Sequence, residues 1–174
     1  IVTALGNVLI VNASRKIEAD KVTYDQISDK AIAVGNVIIT EKDGSIFETD
    51  KAVLKNEFKS VIAIPLFGKL ADKSSISAEK LDKNDFGESF FYEGMYTACE
   101  CDFKKNETPI WRLESKEIKH DPKTQTIYIK NAVMKIFSLP IYYLPYLSIP
   151  DWTIKRRSGF LTPEYGYSKL NRFK

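Results

Sequence analysis

Few side chains in this sequence are equipped for chemistry, and each has a competing structural use. His120 stands beside Asp121, and a histidine next to a carboxylate can move protons. It is the sole histidine in 174 residues, so a multi-histidine metal site and a Cys/His zinc module are excluded. No nucleophile motif lies near it to complete a triad, and a structural role is expected. Three acids, Asp20, Asp50 and Glu79, recur at near-equal spacing. A facing pair of carboxylates would suit glycoside hydrolysis, but recurrence in successive copies of one pattern argues for hydrogen bonds that turn a corner. Cys99 and Cys101 are two apart, which in a strand puts them on one side, roughly 6.5 Å from each other. That is near the upper limit for a disulfide, so a strained bridge turned through Glu100 and two free thiols both stay open. Lys155, Arg156 and Arg157 form a run of three cations, ordinarily a solvated loop, yet also donors that suit phosphate. No glycine-rich phosphate-binding signature occurs. The expectation is no catalytic residue, no metal and no cofactor, hence no enzyme.

The elements that would position these groups follow from composition and pattern. Hydrophobic residues make up 44% and charged residues 28%, which is ordinary for a folded domain and too apolar for a disordered tail. The net charge of +3 is uneven: from Asp151 onward the chain carries +4, and the first 150 residues carry −1. That leaves no general basic surface for nucleic acid. The longest apolar stretch, Phe137 to Pro150, is interrupted by Pro140, Pro145 and Pro150 and falls short of the ~20 residues of a membrane-spanning helix. A start at Ile1-Val2-Thr3 and a stop at Arg172-Phe173-Lys174 read as a piece cut from a longer protein.

A repeat organises most of the chain. Ile17-Glu18-Ala19-Asp20-Lys21-Val22 recurs as Phe47-Glu48-Thr49-Asp50-Lys51-Ala52, as Ile76-Ser77-Ala78-Glu79-Lys80-Leu81 and, more faintly, as Leu113-Glu114-Ser115-Lys116-Glu117-Ile118. The lead residues are 30, 29 and 37 apart. A second element, Gly6-Asn7-Val8-Leu9-Ile10, returns as Gly35-Asn36-Val37-Ile38-Ile39, with weaker echoes at Gly68, Gly94 and Asn131. Short runs of Val, Ile, Thr and Tyr bounded by Asp, Asn, Gly and Lys read as strands, and no segment shows a helical period. Within the repeat, the first and third residues share a face, but the next apolar residue follows after three rather than two. That spacing predicts a bulge or bend in every copy. An all-β fold follows, either a closed sandwich or an open stacked roll whose units share one apolar interior. An open roll leaves sheet edges at both ends, where another chain can pair.

Residues 137–168 carry a more specific signal. Pro140-Ile141-Tyr142-Tyr143-Leu144-Pro145-Tyr146, Pro150-Asp151, Lys155-Arg156-Arg157-Ser158-Gly159-Phe160-Leu161, Pro163, Gly166 and Ser168 resemble the signature of the LptD (OstA/Imp) family of lipopolysaccharide-assembly proteins. Tyr96-Thr97-Ala98-Cys99, Trp111, His120-Asp121 and Ile127-Tyr128 fit the same pattern, and the repeat over 4–81 resembles the OstA-type unit shared with the bridge protein LptA.

The resemblance implies an all-β, V-shaped β-jellyroll of OstA-type repeats at residues 1–136, made of antiparallel strands stacked as an open sandwich. It implies a Pro-rich hinge at 137–158 (Pro140, Pro145, Pro150) and the first strand of an outer-membrane barrel at 159–174. The implied function is lipopolysaccharide transport at the periplasmic face of the Gram-negative outer membrane. Lipid would arrive from LptA, paired edge to edge at the N-terminal end, and pass to the barrel, which holds LptE. Self-association of the excised piece through its edges is also expected. The repeat's apolar positions, Val8, Ile10, Ile17, Val37, Ile39, Phe47, Ile76, Leu113 and Val133, would then serve as core and as lipid-facing groove. Shielding acyl chains is worth ~0.8 kcal/mol per CH₂, so a chain of a dozen methylenes would leave roughly 10 kcal/mol exposed without such a groove. The resemblance also implies that Cys99 and Cys101 bond to cysteines in the absent barrel, and it sets Lys155, Arg156 and Arg157 near lipid phosphates. The rival expectations are a stand-alone bridge of the LptA or LptC kind, and a protein-docking β-repeat that binds no lipid.

Overall fold

A computed structural model describes residues 1–12 and 15–152. Eleven strands follow one another: β1 (Val2–Val11), β2 (Arg15–Asp25), β3 (Lys30–Glu41), β4 (Ile46–Lys55), β5 (Ser60–Lys69), β6 (Ser75–Ala78), β7 (Lys80–Lys83), β8 (Ser89–Thr97), β9 (Trp111–Asp121), β10 (Thr126–Ile136) and β11 (Leu139–Pro150). All lie in one antiparallel sheet, in nearly sequential order, with β6 and β7 as two halves of one broken strand between β5 and β8. The fold is all-β, as expected. Among the described residues the one helical element is a 3₁₀ turn at Phe103–Lys105.

The turns are built by the side chains that punctuate the sequence. Asp43 accepts the amide N–H of Ser45 at 2.8 Å, Asp25 that of Ile27 at 3.1 Å and Asp121 that of Lys123 at 2.9 Å. Asn84 accepts from both Phe86 and Glu88, each at 3.0 Å. A short carboxylate or amide that bonds backbone two residues on closes the chain back on itself, so each hairpin carries its own local instruction.

The predicted bend is present, and it forms a line. Ladder pairing is interrupted at Gly6-Asn7 against Asp20, at Gly35-Asn36 against Asp50, at Asp50 against Pro65, at Glu93 against Lys116 and at Asn131 against Pro145. These positions neighbour one another across the sheet and mark a crease through the middle of the strands. At Gly6-Asn7 and Gly35-Asn36 two residues oppose one, the geometry of a bulge, which bends the strand that carries it, and at the other three a single pair is left out of the ladder. Gly6, Gly35, Asn7, Asn36, Glu93 and Asn131 all have positive φ. Proline, which cannot donate to a ladder, sits at the unpaired crease position of β5 and of β11. Gly68 is an echo in sequence only: it lies within a paired run, opposite Phe47 and Ile76, and the bend in β5 falls at Pro65 instead.

The crease folds the sheet on itself. Glu41 ends β3 at one margin of the sheet, and Lys83 ends β7 at the other. Flat strands of ten residues would hold those margins roughly 33 Å apart, yet Lys83 Nζ donates to Glu41 Oε1 at 3.0 Å. The sheet is therefore a V-shaped roll with two arms that meet at their rims. Between the arms lies the core: Ile17, Val37, Ile39, Leu54, Leu66, Ile76, Phe91, Ile118 and Ile129 are all fully buried. Among the described residues β1 and β11 are the free edges. Both are apolar and exposed, with Val2, Leu5, Leu9 and Val11 on one and Leu139, Ile141, Tyr142, Tyr143 and Tyr146 on the other.

Candidate functional site

The interior of the roll is the candidate site, and the repeat positions it. First, third and sixth residues of the unit face inward: Ile17, Ala19 and Val22; Phe47, Thr49 and Ala52; Ile76, Ala78 and Leu81; Leu113, Ser115 and Ile118 are all buried. The two charged residues between the third and sixth point out over the crease, where Asp20 accepts from Asn36 Nδ2 at 2.9 Å. The third position is small because the arms converge there, and where it carries a hydroxyl it holds the bent backbone. Thr49 Oγ1 accepts the Ile64 N–H at 3.1 Å, and Ser115 Oγ donates to the Lys130 carbonyl at 2.7 Å.

Among the groove residues read from sequence, Ile17, Val37, Ile39, Phe47, Ile76 and Leu113 are buried. Val8 and Ile10, on the β1 edge, are half-buried and pack against that core. Val133 is on the other side of the sheet. It pairs with Glu114 and Tyr143, whereas its neighbour Met134 pairs with Leu113 and packs inward. The interruption at Asn131 sets the parity: Ala132 and Met134 take the inward places that Val37 and Ile39 hold after Asn36.

The arms meet around a cavity of about 450 Å³, lined by Arg15, Glu41, Phe47, Leu81, Lys83, Phe91 and further groups from both rims. Two clasps cross it. One is Lys83 to Glu41. In the other, the Trp152 indole N–H donates to Asp43 Oδ2 at 2.7 Å, and His120 Nε2 lies 3.0 Å from Asp151 Oδ2 with its ring 4.4 Å from that of Trp152. His120 thus ties the end of β11 to β9. The expectation of a structural histidine fits this placement, but its partner is Asp151 and not the adjacent Asp121. The sequence reading missed Arg15, although its parity was available: Arg15, Ile17 and Ala19 alternate on one face.

Burial holds His120 below its ordinary value near 6.5, with the Asp151 carboxylate pulling part of the way back. The folded chain therefore takes up this proton less readily than the unfolded chain. Its contribution to stability is full above pH 6.5 and is lost as the pH falls below that. The urea midpoint should drop between pH 7.5 and 5.5, and His120→Gln should flatten that drop. An unchanged slope in the variant would remove His120 as its source.

Cys99 and Cys101 are both free and half-buried, and not bonded to each other. Ser75 fixes the second: its hydroxyl donates to the Cys101 carbonyl at 3.0 Å and accepts the Cys101 N–H at 2.9 Å. Burial pushes the Cys101 thiol up, with smaller contributions from Cys99 and Glu107. Pro140, Pro145 and Pro150 all belong to β11, a full edge strand of the sheet. Lys155, Arg156, Arg157 and the segment 159–174 lie outside the described residues.

Comparison with known proteins places this geometry among relatives. No family model matches the chain. The LPS-assembly protein LptD of Burkholderia thailandensis is 31% identical over 170 residues, 97% of this chain and 21% of that protein. That of Burkholderia pseudomallei (strain K96243) is 30% identical over 172 residues, 98% of this chain and 21% of that protein. That of Polaromonas sp. is 26% identical over 168 residues, 97% of this chain and 20% of that protein. The chain thus spans about a fifth of the length of the curated relatives it matches. Among solved structures, the roll is similar to LptH of Pseudomonas aeruginosa, described as the LptA-homologous periplasmic component of a lipopolysaccharide transport device. The TM-score is 0.51 at 11% identity, over 78% of this chain and 93% of that one. At that identity the likeness is one of fold.

Proposed function

We propose, from its similarity to the LptD proteins, that the chain forms the periplasmic roll of a lipopolysaccharide-transport and outer-membrane assembly protein. Acyl chains would lie between the arms, on the stripe that runs from Val8 and Ile10 at the β1 edge through Ile17, Val37, Ile39, Phe47, Ile76 and Leu113 to Met134. That continuous stripe is the observation that carries the reading. Nothing catalytic is asked of it: a lipid moves along a surface of uniform apolarity because no step strands methylenes in water.

The exposed edge of β1 supports pairing with an LptA-type strand, since a free edge offers unpaired N–H and C=O groups to a partner chain. The Pro-rich segment 137–158 would hinge the roll onto a barrel supplied by the part of the relatives that this chain does not span; that barrel would hold LptE and carry cysteines for Cys99 and Cys101. Lys155, Arg156 and Arg157 would meet lipid phosphates at that junction.

The test is site-specific photocrosslinking in cells, in the complete protein, with the probe at Phe47 and at Ile76. Lys55, exposed at the end of β4, is the control. Lipopolysaccharide adducts at Phe47 and Ile76 and none at Lys55 are expected. Absence of adducts at both interior positions in a normally assembled protein would leave a closed core, and the roll would serve to dock protein partners only.

A further inference from the structure

The cavity between the arms holds a cation that the described residues satisfy only in part. Arg15 is 8% exposed, and its Nε and Nη1 are buried without a hydrogen-bond partner. Its third nitrogen, Nη2, stands 3.6 Å from Glu41 Oε1, too far for a hydrogen bond. That carboxylate oxygen is already engaged by Lys83 at 3.0 Å. The other carboxylates on the cavity wall are also turned to partners. Asp43 accepts from Trp152 and from the Ser45 N–H, Asp85 from Asn56 Nδ2 at 2.7 Å, and Asp151 lies against His120. A buried guanidinium with unused donors is costly to keep, so a polar partner is expected to come from outside.

The surroundings define that partner. One side of the cavity is apolar, formed by Phe47, Leu81 and Phe91, and leads straight into the core. The rim adds Lys42 and Lys83. A ligand that fits both halves has an anionic head and an apolar body. Arg15 on β2, Lys83 on β7 and Lys42 in the β3–β4 turn all line this cavity, and Arg15 and Lys83 both stand by one oxygen of Glu41. That arrangement suits the three terminal oxygens of a phosphate monoester better than the two of a carboxylate.

We propose that Arg15 is the phosphate-recognition residue of the roll, holding the phosphorylated head of a lipid at the mouth while its acyl chains enter between the arms. This rests on the lipid-transport reading and adds to it the point at which the headgroup is recognised. It also gives the carrier a register, since an apolar stripe alone cannot say where the head should stop.

The experiment compares the 174-residue chain with its Arg15→Gln variant, titrated with bisphosphorylated lipid A, with the same lipid fully dephosphorylated, and with phosphatidylglycerol. Urea midpoints are measured in parallel. The unsubstituted chain should bind bisphosphorylated lipid A at least tenfold more tightly than the dephosphorylated form. The variant should lose that preference, bind the dephosphorylated form unchanged, and keep or raise its midpoint, because an unsatisfied buried charge has gone. Arg15-dependent binding of phosphatidylglycerol instead would identify a phospholipid as the occupant and still support the site. A variant that keeps the preference, or that loses both lipids together with stability, overturns it. If the glutamine variant does not fold, Arg15→Lys keeps charge and stem but loses the planar fork. The preference should then fall severalfold at an unchanged midpoint, and an unaltered preference overturns the proposal. If the unsubstituted chain binds none of these lipids, the transport reading itself fails.

Discussion

Tying residue 41 to residue 83 across the mouth of the roll should abolish lipid loading, by at least tenfold in rate. The reason is geometric. The apolar interior is buried as the roll stands, with Ile17 at 1% and Ile76 at 1% exposure, so a chain of methylenes enters only if the arms part. What holds them at the rim is modest: the Lys83 to Glu41 contact and the Trp152 to Asp43 hydrogen bond, each worth about 1 kcal/mol net. Parting the mouth breaks these contacts and bares apolar surface, which an entering acyl chain covers again, so the opening is drawn out by a ligand that binds only the open form. A covalent tie prevents that opening. The variant is Glu41→Cys with Lys83→Cys, in a chain carrying Cys99→Ser and Cys101→Ser so that only the new thiols react. It is joined by a short bis-maleimide with a disulfide in its spacer. Loading of a fluorescent lipid A should stop on cross-linking and recover when a reductant cuts the spacer. Glu41→Met, which loosens the rim and leaves Lys42 and Lys83 in place, should load faster than the parent. If the cross-linked chain loads at the parent's rate, lipid enters by the ends of the roll and not between its arms.

The sequence disclosed the parts of this device unequally. Interior positions were legible because the repeat states them four times, and the three-residue step after Ala19, Thr49, Ala78 and Ser115 showed where each strand bends. Hairpins were legible where a carboxylate acts within its own turn, as Asp43 and Asp121 do. The inward parity of β10 was not, because one unpaired residue at Asn131 flips every side chain after it, and Val133 was assigned to the face that Met134 holds. The rim was also hidden. Glu41 and Lys83 lie at opposite ends of strands that are not neighbours, and they meet only because the crease angle brings the arms together. No local pattern encodes an angle summed over several strands. Arg15 was passed over for a different reason: a charged residue in an inward register looks like the end of a strand until the cavity around it is seen.

The crease is the element on which everything else depends, and Gly35 is its tightest point. Its φ is +82°, and a Cβ there would lie 2.5 Å from Asp20 Oδ2 and 3.1 Å from Asp20 Cβ. A side chain at Gly35 therefore meets two penalties. Left-handed backbone costs an L-residue roughly 1–2 kcal/mol, more when the side chain is branched at Cβ, and the collision with Asp20 adds overpacking of order 1 kcal/mol or more. Gly35→Val should lower unfolding stability by about 3 kcal/mol, a large share of the 5–15 kcal/mol typical of a domain. Gly44 separates the two contributions. It has φ +93°, and a Cβ there would meet nothing within 4 Å, so Gly44→Val should show the backbone penalty alone. Asp20→Ala, combined with Gly35→Val, should recover most of the difference, because the carboxylate that the valine strikes has gone while the Cβ at residue 20 and the strained backbone stay. Urea unfolding of the four chains measures all of this. If Gly35→Val costs no more than Gly44→Val, the bend is held by the ladder on either side and the glycine is incidental. If it costs more and Asp20→Ala restores the excess, then Asp20 and Gly35 form one contact. The charged step of one repeat would then be fitted to the glycine of the next, and the repeat length would be set by the distance along the chain between two halves of a single corner.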